Sequence, residues 1–392
     1  MVPLYESVAA TAGPSHGWQV TACISSGIYR SSDRTSEEQD AGFKQQLVWT
    51  PRAVRGHPFA TNVLFSALAP FTILGSARPD VNIFLTHPPL FYVLGGLLSR
   101  LRRVPYIVHM MDLYPEILYR AGWLSTDSLL HRQLLERTLG GLKRAAGIVV
   151  IGRCMRERLV AKGLDAAKIH FVPSWPSRHV RSIDHRHNRF RERLKMQERF
   201  MVMYSGNMGL PHELETILSV AGSLVENPDI QFVFVGAGRQ RCLVEAAIAR
   251  GLPNIALVDY QADGDDLAHS LSAADVHFIS LREGYEGLVV PSKFYGALAA
   301  GRPVVYEGAA SGEIARVIDD EGCGLVTRPR DVAGLRAAIL TLYADRRKRE
   351  ALGATALELY RKHYTPGILA EAYCQAIAIC LEPQPRNPGV GA

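Results

Sequence analysis

Short apolar runs alternate with segments of helical periodicity along nearly the whole chain. The first half has strand-like runs at residues 19–25, 81–86, 105–110, 147–152 and 169–173. The second half has them at residues 200–205, 231–236, 255–260, 276–281, 303–307 and 324–327. Helical patterns lie between the runs, as at residues 89–101 and 128–143. Strands that are apolar without alternation are typical of parallel sheets that helices cover on both faces.

Two series of such units, separated by a polar stretch, indicate two domains rather than one barrel, which would need eight regular units. We predict an α/β fold with two doubly wound Rossmann-like domains that face each other across a cleft. The first domain takes residues 1–176, the linker residues 177–199, and the second domain residues 200–365. Residues 366–392 are predicted to form a helix that packs back on the first domain, then a disordered tail rich in Pro and Gly.

The linker is rich in arginine and poor in apolar residues. Its arginines are Arg178, Arg181, Arg186, Arg189, Arg191 and Arg193. A connector that ends in a solvated helix is favoured over a nucleic-acid-binding patch, because charge runs usually face water. Phe190 is the single aromatic residue before the strand at 200, which is too few for a base-stacking surface. No nucleic-acid partner is therefore predicted.

Composition places the chain among ordinary globular proteins, with 392 residues, 47% hydrophobic and 21% charged. The net charge of +6 suits an anionic partner such as a nucleotide phosphate or an acidic membrane. The six cysteines form no Cys-x-x-Cys pair, so neither a zinc site nor a disulfide framework is predicted. Residues 1–20 lack a signal-peptide pattern, and the most apolar stretch, 63–77, is too short to span a bilayer. We expect a cytoplasmic protein.

Ligands of open α/β sheets bind beyond the carboxyl ends of the strands, so the turns there are candidate sites. The first candidate turn is Tyr204-Ser205-Gly206-Asn207-Met208-Gly209, which precedes a helix predicted to start near Pro211. Glycine lets the backbone approach a ligand, and a helix N-terminus attracts phosphate. The alternative is a tight turn that needs glycine for its geometry alone.

The second candidate stretch runs from Glu286 to Val304. Pro291 or Ser292 starts a predicted helix, so Lys293 stands in the first turn, where the helix dipole disfavours a cation. An anionic ligand bound by both the lysine and the dipole accounts for this placement better than a structural role does. Glu286 precedes the helix and is suited to bind sugar hydroxyls, although a solvated loop carboxylate is the simpler reading.

These motifs resemble family-4 retaining glycosyltransferases with the GT-B fold. The bacterial surface-polysaccharide enzymes of the N-acetylfucosamine and colanic-acid type are the most similar group. The resemblance extends over most of the chain and includes five motifs in order, at residues 111–116 (Met-Asp-Leu-Tyr-Pro-Glu), 172–175, 204–209, 286–304 and 312–314.

The resemblance implies transfer of a sugar, with retention, from a nucleotide-diphosphate donor to an acceptor hydroxyl. Lys293 would bind the diphosphate, Glu286 the sugar, and Asp112, or alternatively His109, would orient the acceptor. Further implied donor-binding residues are Gly206, Asn207, Met208, Gly209, Gly287, Leu288, Val289, Ser292 and Tyr295. The family resemblance favours uridine as the base, a lipid-linked or saccharide acceptor in cell-envelope synthesis, and no metal or other cofactor.

Three departures from the family pattern are visible. Gly296 stands where the family usually has the glutamate that binds ribose, and Tyr295 is the nearest substitute. Asn207 and His212 stand where an arginine and a lysine are usual, which would leave Lys293 to carry the phosphate charge. The first strand of the N-terminal domain and its glycine turn are missing from the pattern. We therefore expect either a misassigned start codon or a truncated, poorly active protein.

Other patterns lead to weaker hypotheses. Asp263-Gly264-Asp265 matches a metal motif of another glycosyltransferase fold, but helix capping explains it. Gly236-Ala237-Gly238 lacks the third glycine of a dinucleotide site. The helix near residues 89–103 could rest on an anionic membrane, or be an ordinary buried helix with basic ends; its apolar and basic residues are Leu94, Leu97, Leu98, Leu101, Arg100, Arg102 and Arg103. A nucleotide-sugar 2-epimerase or a non-catalytic nucleotide-sugar binder are the alternative functions.

Overall fold

The structure is a computed structural model of the chain. It describes residues 7–8, 10–12, 16–25, 44–48, 58–123, 125, 129–261 and 264–382. Within these ranges every sheet is parallel, and helices connect most successive strands. The α/β arrangement of parallel sheets that was predicted from the apolar runs is confirmed.

The first domain has two groups of strands. The strands β1 and β2 pair with each other, and β3 to β6 form a four-stranded sheet in chain order. Their bounds are Thr21–Ser25 (β1), Lys44–Val48 (β2), Asn82–Leu85 (β3), Tyr106–Met110 (β4), Gly147–Val150 (β5) and Ile169–Phe171 (β6). The sequence analysis missed β2, because its first three residues are polar and only two apolar residues follow.

The helices of the first domain cover the four-stranded sheet. Residues 7–8 and 10–12 are helical, and five complete helices follow among the described residues. These are Pro58–Gly75 (α1), Phe91–Arg102 (α2), Glu116–Arg120 (α3), Leu129–Arg144 (α4) and Arg153–Ala161 (α5). The predicted helices at 89–101 and 128–143 correspond closely to α2 and α4. Helix α2 ends at Arg103, whose φ is 54°, and Arg100 and Arg102 lie in its last turn, where cations are favoured.

The second domain is a six-stranded parallel sheet with the order β12-β11-β10-β7-β8-β9. The chain starts at the centre, builds one side, and then crosses back to build the other, which defines a doubly wound sheet. The strands are Phe200–Ser205 (β7), Ile230–Val235 (β8), Ile255–Val258 (β9), Val276–Ser280 (β10), Val304–Glu307 (β11) and Gly324–Thr327 (β12). Each lies within one residue of a predicted run or inside it. The central strands are buried almost throughout, as their uninterrupted apolar pattern requires.

Helices cover both faces of this sheet. They are Glu215–Ser223 (α7), Arg241–Ala249 (α8), Asp265–Ala273 (α9), Lys293–Ala299 (α10), Glu313–Glu321 (α11), Val332–Ala344 (α12) and Arg346–Leu359 (α13), after the short linker helix Arg189–Leu194 (α6). Side-chain oxygens cap three of them: Asn188 caps α6, Asp331 caps α12 and Asp345 caps α13. Gly322, with a φ of 66°, ends α11 in the left-handed conformation that glycine adopts at little cost.

The last helix, Pro366–Leu381 (α14), returns to the first domain. Its residues Tyr373 and Ile377 share a buried cluster with Ile107 of β4 and Val149 of β5. His16 lies 3.3 Å from Glu371 of the same helix. These contacts are of the kind predicted for the C-terminal helix, whereas the exact domain boundaries stay predictions. The tail after residue 382 lies outside the described residues.

The linker is more ordered than the solvated connector that was predicted. Arg191 of α6 is 2% exposed. Its guanidinium forms an ion pair with Asp275 and donates to the carbonyls of Ala273 (2.8 Å) and Gln197 (2.9 Å). The interpretation of this arginine as a solvated charge is wrong, because a carboxylate at the start of β10 stabilises it inside the domain.

Candidate active site

Two glycine turns pack against each other at the carboxyl end of the second sheet. Gly206 follows β7 with a φ of 128°, and Gly236 follows β8 with the same value. A Cβ atom at Gly236 would overlap the carbonyl oxygen of Gly206. A Cβ at Gly238 would lie 2.6 Å from Oδ1 of Asn207. The Gly236-Ala237-Gly238 pattern, which is only weak evidence for a dinucleotide site, thus packs directly against the Tyr204–Gly209 turn.

Two backbone amides of this turn are used within the protein. Gly206 N donates to the carbonyl of Val235 and Met208 N to that of Ala237, both at 2.8 Å. Met208 is fully buried and exposes no side chain to a ligand. The helix predicted near Pro211 starts only at Glu215, whose N–H is 3.1 Å from Oε1 of Glu213. The prediction of a helix start at Pro211 is therefore wrong, and a carboxylate occupies the real N-terminus.

Lys293 is the first residue of α10, and its side chain crosses the glycine turn. A Cβ at Gly206 would lie 2.9 Å from Cε of Lys293, so a larger residue there would displace the lysine from its present position. The Nζ atom lies 2.8 Å from Nε2 of His212 and 4.8 Å from the centre of the Tyr204 ring. Lys293 and the Tyr204–Gly209 turn, which the sequence analysis singled out separately, thus form one site.

The histidine beside the lysine is neutral. His212 Nδ1 lies 2.7 Å from the carbonyl oxygen of Ser280, which accepts a hydrogen bond, so Nδ1 carries the proton. Nε2 then accepts from the Lys293 ammonium. Burial, followed by the charge of Lys293, lowers the pKa of His212 to about 3. A neutral imidazole orients the ammonium without neutralising its charge.

Lys293 has no acidic partner among the described residues. Burial lowers its pKa from the ordinary value to about 7. A cation that is desolvated and unpaired is costly, and an anion placed beside it would remove that cost. The arrangement is a preformed place for a negatively charged group.

A second cation near this site was missed in the sequence analysis. Arg282 follows β10, and its Nε donates to the carbonyl of His212 at 3.0 Å. Its Nη2 donates to Oε1 of Gln240 at 3.0 Å, and Gln240 in turn donates to the same carbonyl at 2.9 Å. Arg282 lies just past a strand end, where candidate ligand-binding residues are expected, and that position was the available signal.

The loop before α10 contacts the first domain. Gly287 has a φ of 74°, and a Cβ there would lie 2.9 Å from the carbonyl oxygen of Cys154. Arg158 donates to the carbonyl of Glu286 at 2.9 Å, and Leu288 is 1% exposed. Gly287 and Leu288 therefore serve the domain contact. The Glu286 carboxylate accepts from the backbone N–H of Gly284 at 2.7 Å, within its own turn.

Asp112 stands opposite this loop, just after β4. It pairs with Val289 through an antiparallel bridge, and Leu113 N donates to the carbonyl of Leu288 at 2.9 Å. Its own N–H is 3.1 Å from Oγ1 of Thr86. Its carboxylate has no hydrogen-bonding or ionic partner in the part of the chain that the structure describes, and burial raises its pKa to about 6. Asp112 and the Glu286–Val289 loop are thus brought together.

Two other predicted residues lie in cores, and a third is exposed. His109 is 4% exposed and faces the ring of Tyr373 on α14 at 5.2 Å, and burial lowers its pKa to about 4. Tyr295 is 1% exposed, with its ring 5.1 Å from that of Tyr364, so it is a core residue rather than a substitute for the ribose-binding glutamate. Ser292 is the N-cap residue of α10, is exposed, and makes no capping bond.

Gly296 is buried, and its surroundings explain why a larger residue is disfavoured. A Cβ at this position would lie 3.2 Å from Cδ1 of Leu271 on α9. A glutamate here would require Leu271 to move. Leu271 therefore occupies the space beside this glycine.

Charged pairs join α5 of the first domain to α11 of the second. Arg153 donates from its backbone N (2.5 Å) and its Nε (3.0 Å) to the Glu313 carboxylate, which is 2% exposed. Arg316 forms two hydrogen bonds with Glu157, at 2.6 and 2.8 Å. The charges alternate between the helices, so the two pairs fix the relative position of α5 and α11.

The described residues contain no cluster of ligands suited to a metal ion. Asp263 of the Asp-Gly-Asp pattern lies outside the described residues. Asp265 forms ion pairs with Arg181 (2.6 Å) and Arg189 (2.8 Å). Its carboxylate is therefore already engaged by the linker.

Two family models match the chain. Residues 7–175 match the model described as "Glycosyl transferase 4-like domain", and residues 199–345 match "Glycosyl transferases group 1". The chain belongs to this family of glycosyltransferases, and the predicted family membership and enzyme class are confirmed. Among curated proteins it is 29% identical over 311 residues to the probable glycosyltransferase WbjE of Pseudomonas aeruginosa, covering 78% of this chain and 75% of that protein. It is also 29% identical over 279 residues to the putative colanic acid glycosyl transferase WcaI of Escherichia coli, with 67% of each covered.

Solved structures share the architecture. The Anabaena protein HepE, in complex with UDP-glucose, superposes with a TM-score of 0.71 at 16% identity, covering 96% of this chain and 95% of that one. WaaG, a glycosyltransferase of lipopolysaccharide biosynthesis, superposes with a TM-score of 0.69 at 14% identity, also over 96% and 95%. The predicted GT-B fold is confirmed. Within the described ranges, no helix has both the length and the apolar character to cross a membrane.

Proposed function

We propose that the protein is a retaining glycosyltransferase that uses a nucleotide-diphosphate sugar, with UDP as the favoured nucleotide. The observation that carries the proposal is Lys293, a desolvated cation that has no acidic partner among the described residues and is oriented by neutral His212. A diphosphate supplies the missing negative charge. The negative charge on the departing diphosphate grows as its bond to the sugar breaks. A fixed cation aimed at that charge stabilises the transition state more than the ground state.

Relatives support the choice of donor and process. HepE has been solved with UDP and with UDP-glucose, WaaG acts in lipopolysaccharide biosynthesis, and WcaI is described as a colanic-acid enzyme. Their folds or sequences resemble this chain over most of its length. We infer a role in the synthesis of cell-envelope polysaccharide or lipid-linked oligosaccharide, with no metal or other cofactor in the reaction.

The acceptor would enter from the side of Asp112. In the transfer, the bond between the anomeric carbon and the diphosphate oxygen breaks, and the acceptor oxygen forms the new bond on the same face. The acceptor proton passes to the departing diphosphate oxygen. Asp112 orients the acceptor hydroxyl by accepting a hydrogen bond, and Glu286, one loop away, binds hydroxyls of the donor sugar.

The test is sugar transfer by the purified full chain. Membrane extract supplies the acceptor, radiolabelled UDP-sugars are offered one at a time, and NMR of the product gives the anomeric configuration. We expect labelled product with one sugar, with the donor's configuration and without added divalent metal. Lys293→Ala should abolish transfer, and Lys348→Ala, an exposed lysine of the same domain, is the matched control. Conversion of donor without acceptor, or an inverted product, would contradict the proposal.

A membrane contact would bring the enzyme to a lipid-linked acceptor. Helix α2 exposes Leu97 (54%) and Leu101 (67%), and α1, which packs beside it, exposes Phe71 (72%). Leu98, also named from the sequence, is buried at 5% and does not belong to this face. Arg102 holds the end of α1 through the carbonyl of Ser76 at 2.8 Å. Exposed apolar side chains with arginines beside them suit an anionic lipid surface.

Vesicle sedimentation tests this contact. We expect the chain to sediment with phosphatidylglycerol vesicles and not with phosphatidylcholine vesicles. The double change Leu97→Glu with Leu101→Glu should release it, while Ile248→Glu, an exposed apolar residue of the second domain, should not. Equal sedimentation of both variants would contradict the membrane contact and leave the donor chemistry untouched.

A further inference from the structure

A cavity of about 1200 Å³ lies at the edge of the second sheet opposite the donor site. Its floor is formed by residues at or just before the amino ends of four strands, at Phe200, Asp229, Asp275 and Gly301–Pro303. The linker, at residues 182–186, forms one wall, and α13 forms the other. The proposed sugar transfer takes place at the carboxyl ends of the strands, so it does not involve this cavity.

Six arginines line the cavity, against five carboxylates. The arginines are Arg186, Arg191, Arg199, Arg302, Arg346 and Arg349, and the carboxylates are Asp184, Glu198, Asp229, Asp275 and Glu350. Four carboxylates are already matched, each with its own arginine, in the pairs Asp184–Arg186, Asp229–Arg199, Asp275–Arg191 and Glu350–Arg346. The fifth, Glu198, is exposed to water.

Two arginines are left without a carboxylate of their own. Arg302 has no acidic side chain within ion-pair distance among the described residues. Arg349 lies 3.6 Å from Asp275, which already pairs with Arg191. Burial lowers the pKa of Arg302 to about 10; the charges of Arg191 and Arg349 act in the same direction, and those of Asp275 and Asp184 act against it. Excess positive charge is therefore concentrated on the cavity wall where Arg302 and Arg349 lie.

Both guanidinium groups are held in fixed orientations by backbone carbonyls. Arg302 donates from Nε and Nη2 to the carbonyl of Ser272, at 3.1 and 2.7 Å, and from Nη2 to that of Ile183 at 2.9 Å. Arg349 donates from Nη1 to the carbonyl of Leu342 at 2.6 Å and stacks over Phe200 at 5.1 Å. Nη1 of Arg302 and Nη2 of Arg349 have no partner in the described part of the chain. Fixed guanidinium groups with free N–H donors match the geometry of phosphate oxygens.

We propose that this cavity is a second anion site, which binds a phosphoryl group through Arg302 and Arg349, with exposed Arg346 at its rim. The bound group would connect the linker and α13 to the strand ends, and so stabilise the second domain. The site is independent of the donor site, because its residues lie at the opposite edge of the sheet.

The experiment uses inorganic pyrophosphate as the probe and calorimetry as the readout. The Lys293→Ala full chain removes the lysine of the donor site, and the arginine variants below then assign the residual binding to the second site. We expect the Lys293→Ala protein to bind pyrophosphate. Adding Arg349→Gln or Arg302→Gln should lower the affinity about tenfold or more, because a charge-assisted hydrogen bond is lost. Adding Arg250→Gln, an exposed arginine elsewhere in the domain, should leave it unchanged.

Arg346→Gln protects the test against loss of folding. Arg346 is 80% exposed, and within the described ranges its one ion pair is with Glu350 one turn away, so we expect its removal to leave the fold intact. We expect a smaller loss of affinity, of several-fold, and a smaller pyrophosphate-induced rise in Tm. No pyrophosphate binding in Lys293→Ala, or equal affinity in all the arginine variants, would overturn the proposal.

A second arm of the experiment identifies the source of the phosphoryl group. Phosphatidic-acid vesicles that compete with pyrophosphate would assign the site to lipid head groups. Binding of pyrophosphate without such competition would assign it to a soluble phosphorylated compound. Failure of the donor-site proposal would instead appear as unchanged UDP binding in Lys293→Ala, which is a separate measurement.

Discussion

Each domain contributes one ionisable side chain to the cleft, and the two carry opposite charges. Neither has an ionic partner among the described residues. The second domain contributes Lys293, which has a neutral histidine as its neighbour and a pKa lowered to about 7. The first contributes Asp112, whose pKa burial raises to about 6. Both shifts have the same cause, desolvation, and both move the group towards its neutral form. A buried charge with no partner in its own domain marks the place where a substrate is expected to supply one.

Lys293 and Asp112 differ in the sign of their charge, so we expect them to bind different substrates. A lysine that needs negative charge fits the donor diphosphate, and a carboxylate that accepts a hydrogen bond fits the acceptor hydroxyl. Changes at the two positions should therefore affect separate kinetic constants.

The largest effect is expected at the cation. Lys293→Ala should weaken UDP binding about 100-fold, because a charge-assisted contact in a desolvated place is lost. Calorimetry with UDP measures the affinity, and Lys348→Ala serves as the control. Unchanged UDP affinity in Lys293→Ala would show that the diphosphate binds elsewhere.

Loss of the Asp112 carboxylate should affect turnover rather than donor binding. Asp112→Asn should lower kcat roughly 100-fold, since the group that orients the acceptor is lost, while UDP affinity stays the same. Steady-state kinetics and calorimetry on the same protein separate the two. A fall in UDP affinity equal to the fall in kcat would place Asp112 in the donor site instead. The control His109→Gln should leave the donor affinity unchanged, because His109 faces α14.

The pH dependence of donor affinity should follow the protonation of the Lys293 amine. Its pKa in the empty site is about 7, so above pH 7 the lysine is increasingly neutral and must take up a proton when the diphosphate binds. UDP affinity should therefore fall as pH rises above 7, by at most about tenfold per pH unit for one proton. Lys293→Arg keeps its proton over this range and should flatten the profile. A flat profile in the wild-type protein would contradict the linkage.

The smallest effects are expected at the contacts that join the domains. Glu313 is buried, and Glu313→Gln should lower kcat several-fold, because Arg153 loses a charged partner at the domain contact. Glu157→Gln, in a pair whose carboxylate is 58% exposed, should change kcat less than twofold. Similar losses in both variants would show that charge, rather than burial, sets the contribution of these pairs.

Local sequence patterns predicted most of the fold. Mostly apolar runs identified every strand of the six-stranded sheet, because a strand covered on both faces has few polar positions. The pattern failed at β2, where polar residues occupy most of a strand, and at the start of α7, where Glu213 rather than Pro211 precedes the helix. It also treated Arg191 as a surface charge, since its partner Asp275 is distant in the chain.

The candidate site was only partly visible in the sequence. Lys293, the glycine turn and Asp112 follow from strand ends and the helix dipole, which are local properties. The residues that contact them are distant in the chain. His212 lies beside Lys293, Gly236 packs against Gly206, and Val289 pairs with Asp112. The order of the strands and the contact between the domains bring these pairs together. For the same reason Tyr295 and His109 were assigned to the site although they lie in cores.

The amino-acid order alone thus determined the strands and the two-domain plan, because apolar periodicity and turn chemistry act over a few residues. The class of enzyme followed from the resemblance of five motifs to a known family. The protonation of Lys293 and Asp112, the second cation near the donor site (Arg282) and the arginine cavity depended on tertiary structure. Desolvation and charge pairing are properties of the space around a side chain, and residues far apart in the chain form that space.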